Sequence, residues 1–383
     1  MVSRRILEAK RAVSTIQREF VGLASPFVGR AGAGGHPCQG IYHTPAGKRP
    51  RTALIATHYN VDFSEHYLAP YLAERGYGFL GWNTRFRGNE PNFLLDHALP
   101  EIGVGVRWLR EQADVEQVVL LGNSGGGSLM AAYQSQAVEP NVTPSGSHAA
   151  DALHDLPTGD LYLAVAAHPG RPEVLTAWMD PSVTDEDDPL SVDPALDPYG
   201  DHNPPPFEDE FQLRYRAAQR DRNQRITNWA KEQLAALIGT RATDRLFQTF
   251  RTWADLRMID PTIEVSERRS RHCYRGDPQS ANYGVFGIGA LSTLRSWLSM
   301  WSMETSQCTA APHLARITVP SLVVHAKADA GVYESDARGI FSALAATDRS
   351  LELLGADHYF TEPVGARVQL AELIAGWLGE HAA

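Results

Sequence analysis

The run VEQVVLLG at residues 115–122 is apolar at every position from Val118 to Leu121, not at alternate ones. A strand that is wet on one face alternates, so an unbroken apolar run of this length belongs to a strand covered on both faces. Immediately after it the chain places Asn123-Ser124-Gly125-Gly126-Gly127 and then a helical pattern over residues 125–137. The same strand-then-helix alternation recurs. Strands are predicted at 52–60, 77–84, 160–168, 321–325 and 350–354, and helices at 64–76, 93–113, 333–346 and 363–379. Such alternation predicts an α/β fold with a mostly parallel central sheet and helices on both faces.

The alternation stops after Gly170 and resumes near residue 316. Between them lies an acidic, proline-rich stretch, residues 180–210, that reads as solvated and irregular, with no calcium-loop spacing. Residues 207–305 read as mostly helical. Before the core, residues 4–20 carry Ile6, Val13, Ile16 and Phe20 near helical spacing, and 22–50 read as irregular. The organisation expected is an N-terminal helix and extension over 1–45, a core over 46–170 and 316–383, and a mainly helical cap insert over 171–315.

Composition narrows the function. At 383 residues, 43% hydrophobic and 21% charged, the chain can bury a large core. A formal net charge of −10 and no basic stripe argue against a nucleic-acid partner and against an anionic membrane surface. Three cysteines outside any CxxC pair make no disulfide framework. No apolar run reaches the length of a membrane span and the N-terminus is not a secretory signal, so the expected location is cytoplasmic. The expected partner is a small-molecule acyl substrate, with a homo-oligomer allowed. No metal and no organic cofactor is expected.

Gly122-Asn123-Ser124-Gly125-Gly126 matches G-x-S-x-G. A plain βα turn would also use glycines, and so would a phosphate loop, but G-x-G-x-x-G is absent and no Walker lysine follows. Two further polar residues stand just past strands in the order Ser, acid, His: Asp329 after 321–325 and His358 after 350–354. Sites in open α/β sheets gather at those carboxyl ends. Glu334 is a local rival to Asp329. Asp357 adjoins His358, but neighbouring side chains diverge. His58 and His168 also follow strands and are candidate pocket residues. Trp178, Tyr283, Phe286, Trp297 and Trp301 are candidate pocket aromatics, against the commoner reading of aromatics as core of the insert.

On ATHYN, GNSGG, HAKAD and GADHYF, in that order along the chain, it resembles the α/β-hydrolase superfamily over about residues 45–170 and 316–380. The resemblance implies a serine hydrolase acting on a carboxylic ester, thioester or lactone, with Ser124 as nucleophile, His358 as base and Asp329 as the acid that orients it. It implies an oxyanion hole from the Gly125 amide and one amide after strand 52–57. There His58-Tyr59-Asn60 replaces the usual His-Gly-X, leaving Tyr59 or Asn60 as donor, with Asn60 favoured by position. An acyltransferase or an amide or C–C hydrolase would use the same residues. A non-catalytic binding or sensor protein on this fold is the alternative from another class. Halide and epoxide chemistry are disfavoured, since those relatives carry aspartate at the elbow.

Overall fold

The computed structural model describes residues 15–28 and 35–382. Eight strands form one sheet: β1 (Ile16–Leu23), β2 (Cys38–Pro45), β3 (Thr52–Ala56), β4 (Gly78–Asn83), β5 (Gln117–Asn123), β6 (Leu161–Val165), β9 (Ser321–Ala326) and β10 (Arg349–Leu354). A short hairpin, β7 (Leu246–Gln248) with β8 (Leu291–Thr293), stands apart. The order across the sheet is β1-β2-β4-β3-β5-β6-β9-β10. The six strands from β4 to β10 run parallel, and β1 and β2 pair antiparallel at one edge.

The apolar runs have the expected cause. Along β3 and β5, Ile55, Val118 and Leu120 face one cluster with Ile102, Val106 and Leu129 from the helices Leu95–Glu111 and Gly126–Val138. Leu54, Val119 and Leu121 face the other way, onto Leu68, Leu72, Leu370 and Ile374, from or just before the helices Ala69–Glu74 and Ala366–Glu380. Each face of the pleat therefore has its own helical cover, and Val118–Leu121 of β5 are apolar throughout.

Three expectations fail. Residues 16–20 are strand, not helix; the remainder of that expected helix, residues 4–14, lies outside the described residues. The β1 side chains are mostly exposed and only Val21 is buried, so its backbone pairing to β2, not an apolar face, sets its conformation. The stretch expected to be irregular contains β2, inserted between β1 and β4. There Gly40 is required, because a Cβ would strike the Gly81 carbonyl of the neighbouring strand. Residues 207–305 hold one long helix, Asp209–Ala236, but beyond it only helical segments of five residues or fewer, loops and the hairpin.

The acidic stretch is also less solvated than its composition suggests. Asp180 is fully buried. Its Oδ2 accepts from Arg251 Nε (3.0 Å) and Nη2 (2.6 Å) and from Asn282 (2.8 Å), and its Oδ1 accepts from the Ser182 amide and hydroxyl. Glu186 receives Arg222 at 2.8 and 2.6 Å. These charges tie the irregular stretch to the long helix and the loops after it. Asp180→Ala would strand the buried Arg251 guanidinium, and a loss of about 3–5 kcal/mol in unfolding free energy is expected by denaturant titration. Among the described residues no group of three metal-ligating side chains gathers, and no helix is long and apolar enough to cross a membrane.

Candidate active site

Ser124 sits in the turn between β5 and the helix that begins at Gly126, with φ of 54°. That left-handed conformation is costly for a residue with a Cβ and persists only where the surroundings enforce it. Its carbonyl accepts from Gly127 (3.0 Å) and His168 (2.9 Å), and its amide donates to Val165 at the end of β6 (3.2 Å). The glycines make this turn possible. A Cβ on Gly122 would lie 2.7 Å from Gly127 Cα, and one on Gly126 would strike the Thr57 carbonyl.

Asp329 and His358 follow β9 and β10 and meet the serine. His358 Nε2 is 3.0 Å from Ser124 Oγ, and His358 Nδ1 is 2.5 Å from Asp329 Oδ2. Both His358 and Asp329 are buried. Burial alone would raise the Asp329 carboxyl, but the His358 ring and the amides of Val332 and Gly331 outweigh it and hold it below the usual carboxylate range. An ionised acceptor there fixes the proton on Nδ1 and leaves Nε2 free to accept from the serine hydroxyl. The rivals are engaged elsewhere: Asp357 accepts from Thr361 and Glu362, and Glu334 pairs with Arg338.

A positive-φ serine closes the central strand, an acid and a histidine end the strands beyond it, and the long insert leaves after β6. The chain has the α/β-hydrolase fold. No family model matches it, and no curated protein matches it either. Among solved structures it is similar to the esterase domain of a Rhodothermus marinus protein (13% identity, 94% of this chain and 98% of that one, TM-score 0.45). It is similar also to a monoacylglycerol lipase from Paleococcus ferrophilus (13%, 96% and 99%, 0.45) and to the alpha/beta hydrolase GrgF from Penicillium sp. sh18 (11%, 95% and 97%, 0.49). Likenesses this distant say nothing about the chemistry.

On this fold the other candidates divide sharply. His168 Nε2 is 3.3 Å from Ser124 Oγ, so two imidazoles flank the hydroxyl. They are not equivalent. Among the described residues His168 Nδ1 is buried without a partner, and burial, then Arg171 and His358, push its pKa well below the ordinary imidazole value. A proton arriving on His168 would find no carboxylate to stabilise it. His58 lies on the other side: its Nε2 is 2.5 Å from where a Gly125 Cβ would be, and burial first, then Arg171, keep it neutral. Trp178 packs near His168, with centroids 6.1 Å apart. Trp301 stands one layer back, against Arg171.

Trp297, Tyr283 and Phe286 do not join them. Trp297 is buried within the insert, its Nε1 donating to Thr227 and its ring beside Phe247. Tyr283 lies over Arg251, and Phe286 is exposed beside Arg275. Only Trp297 follows the commoner reading as core of the insert; Tyr283 and Phe286 are both exposed. The favoured oxyanion amide has a partner of its own. The Asn60 amide, like that of Val61, donates to His58 Nδ1 at 3.3 Å. The Tyr59 amide is left without a hydrogen-bond partner among the described residues, while its side chain is buried with Oη 3.0 Å from Ser128 Oγ.

Two residues at the site carried no motif. Tyr274, from the insert, donates its hydroxyl to Asp329 Oδ1 at 2.7 Å and lies 3.0 Å from His358 Nδ1, its ring centroid 4.4 Å from the imidazole. Burial and the Asp329 charge push its pKa well up, so it keeps its proton and donates. Gly331 makes room for it, since a Cβ there would be 2.6 Å from the phenol ring. The second is Arg171, buried at the start of the helix Arg171–Trp178. A cavity of about 580 Å³ lies beside Tyr274, His358 and Tyr359.

Proposed function

We propose that the protein is a serine hydrolase that cleaves a carboxylic ester, thioester or lactone through an acyl-enzyme on Ser124. The observation that carries this is the unbroken relay from Ser124 Oγ through His358 to Asp329, at 3.0 and 2.5 Å. Ser124 Oγ attacks the carbonyl carbon while its proton passes to His358 Nε2. The carbonyl becomes an oxyanion, held by the amides of Gly125 and Tyr59, each such donor being worth about 3 kcal/mol of transition-state stabilisation. Asp329 stabilises the imidazolium. As the carbon–oxygen (or carbon–sulfur) bond breaks, the leaving group takes the proton from His358. Water, deprotonated by the same imidazole, then attacks the acyl carbon, and the free acid departs as Ser124 regains its proton. Nε2 thus takes up and releases two protons per turnover, the serine's to the leaving group and the water's back to Ser124.

In this reading residues 171–315 act as a cap whose Tyr274 braces the acid, and residues 46–170 and 316–383 form the catalytic core. The strained φ of Ser124 supports turnover over mere binding, because a binding pocket has no use for a hydroxyl held at such cost. Acyl transfer to an alcohol, or amide or C–C cleavage, would run on the same relay and is separated by product analysis. The test is covalent. A fluorophosphonate probe should label the wild type at Ser124 and leave Ser124→Ala unlabelled; equal labelling of both, or of neither, would reject Ser124 as nucleophile.

A further inference from the structure

Arg171 has far more hydrogen-bonding capacity than the protein uses. Its side chain is 2% exposed, yet among the described residues its one side-chain hydrogen bond runs from Nη2 to Glu90 (3.0 Å). Its Nε is buried with no partner. The guanidinium is gripped between the faces of Tyr59 and Trp301, at 5.0 and 4.5 Å, which fixes its plane but satisfies no N–H. Nη1, to which no hydrogen bond runs among the described residues, lies 2.7 Å from where a Cβ on Gly125 would sit, beside His58 Nε2. Gly125 directly follows Ser124 and lacks a side chain at the one spot where both groups converge. Glu90 offsets part of the charge but leaves Nη1 unbonded; it also accepts from the Gly289 amide at 3.3 Å.

A buried donor left unsatisfied is expensive, and an arginine cannot escape by losing its proton. The group that completes this site must accept hydrogen bonds, and a desolvated cation favours an acceptor with negative charge. We propose that Arg171, with His58, forms a subsite for a carboxylate that the substrate carries close to its scissile carbonyl, so that the enzyme acts on anionic esters such as monoesters of short dicarboxylic acids. This rests on the serine-hydrolase reading above and deepens it.

The experiment compares the wild type on ethyl hydrogen succinate, on the carboxylate-bearing alcohol ester butyryl glycolate, and on the uncharged isosteres of each, ethyl 4-methylpentanoate and isobutyl butyrate. Turnover is followed by acid release at constant pH. At least one anionic ester should exceed its isostere in kcat/KM by about 10- to 100-fold, the range expected of a charge-assisted contact. Arg171→Met should abolish that preference while Ser124 still takes the fluorophosphonate. If Arg171→Met does not fold, Glu90→Gln decides: with the competing carboxylate gone, the preference should rise, and an unchanged ratio overturns the proposal. A wild type that prefers the neutral partner of both pairs, or an Arg171→Met enzyme that keeps the anionic preference, also overturns it. Loss of probe labelling by the wild type would instead reject the serine reading itself, so the two failures are distinguishable.

Discussion

Ser124→Ala is expected to lower kcat for ester hydrolysis by about 10⁵- to 10⁶-fold, with little change in KM. In the proposed mechanism the relay has no other atom able to form the acyl bond. Removing Oγ leaves the oxyanion amides and the binding pocket in place, so a small residual rate over water remains. His358→Ala should cost about as much, and the double variant should be no worse than either single one. The second imidazole makes the His358 variant the more demanding test. His168 Nε2 is only 3.3 Å from the hydroxyl and could be thought a spare base. Among the described residues it has no carboxylate on Nδ1, and burial first, then Arg171, disfavours its protonated form. Steady-state kinetics of Ser124→Ala, His358→Ala and the pair would decide. A His358→Ala enzyme with near wild-type kcat would transfer the base to His168 and undo the assignment.

Asp329→Asn should lower kcat by about 10⁴-fold while the protein stays folded. The amide is nearly the same size as the carboxylate. Its oxygen can still accept from Gly331, Val332 and Tyr274 at Oδ1, so the turn after β9 keeps its bonds. The Oδ2 position is different. There an amide nitrogen would donate toward His358 Nδ1, and the ring must answer by accepting. Its proton then moves to Nε2, which faces Ser124 as a donor and can no longer take the hydroxyl's proton. Full probe labelling and unchanged kcat in Asp329→Asn would show that the acid serves packing alone.

Much of this was legible because the signals are local and steric. The apolar runs at 118–121 and 322–324 follow from two-sided burial, and the glycines around Ser124 follow from atoms that a Cβ would strike. The order of Ser124, Asp329 and His358 is a property of the chain itself. What was not legible depends on partners distant in sequence. β1 and β2 are set by backbone pairing at a sheet edge, which leaves little side-chain pattern. The Asn60 amide turns to His58 through a loop whose shape no spacing reveals. Tyr274 and Arg171 come from, or from the start of, the segment that follows no repeat, and each is meaningful only through a contact: Tyr274 with Asp329, 55 positions away, and Arg171 with Glu90, 81 away. The one local hint was glycine. Gly125 and Gly331 mark the spots where Arg171 and Tyr274 arrive, and an unexplained glycine beside a reactive residue can be read as a space reserved for something else.

The phenol that reaches Asp329 belongs to the part of the chain that would be exchanged first in any attempt to redirect selectivity. Swapping that segment for another would withdraw a hydroxyl from the carboxylate and a flat ring from the imidazole in a single cut. The two halves of this molecule are therefore not interchangeable parts. On the proposed function, evolution or an engineer could retune what enters the pocket only by re-tuning the proton relay at the same moment, unless the graft brought its own tyrosine to the same corner.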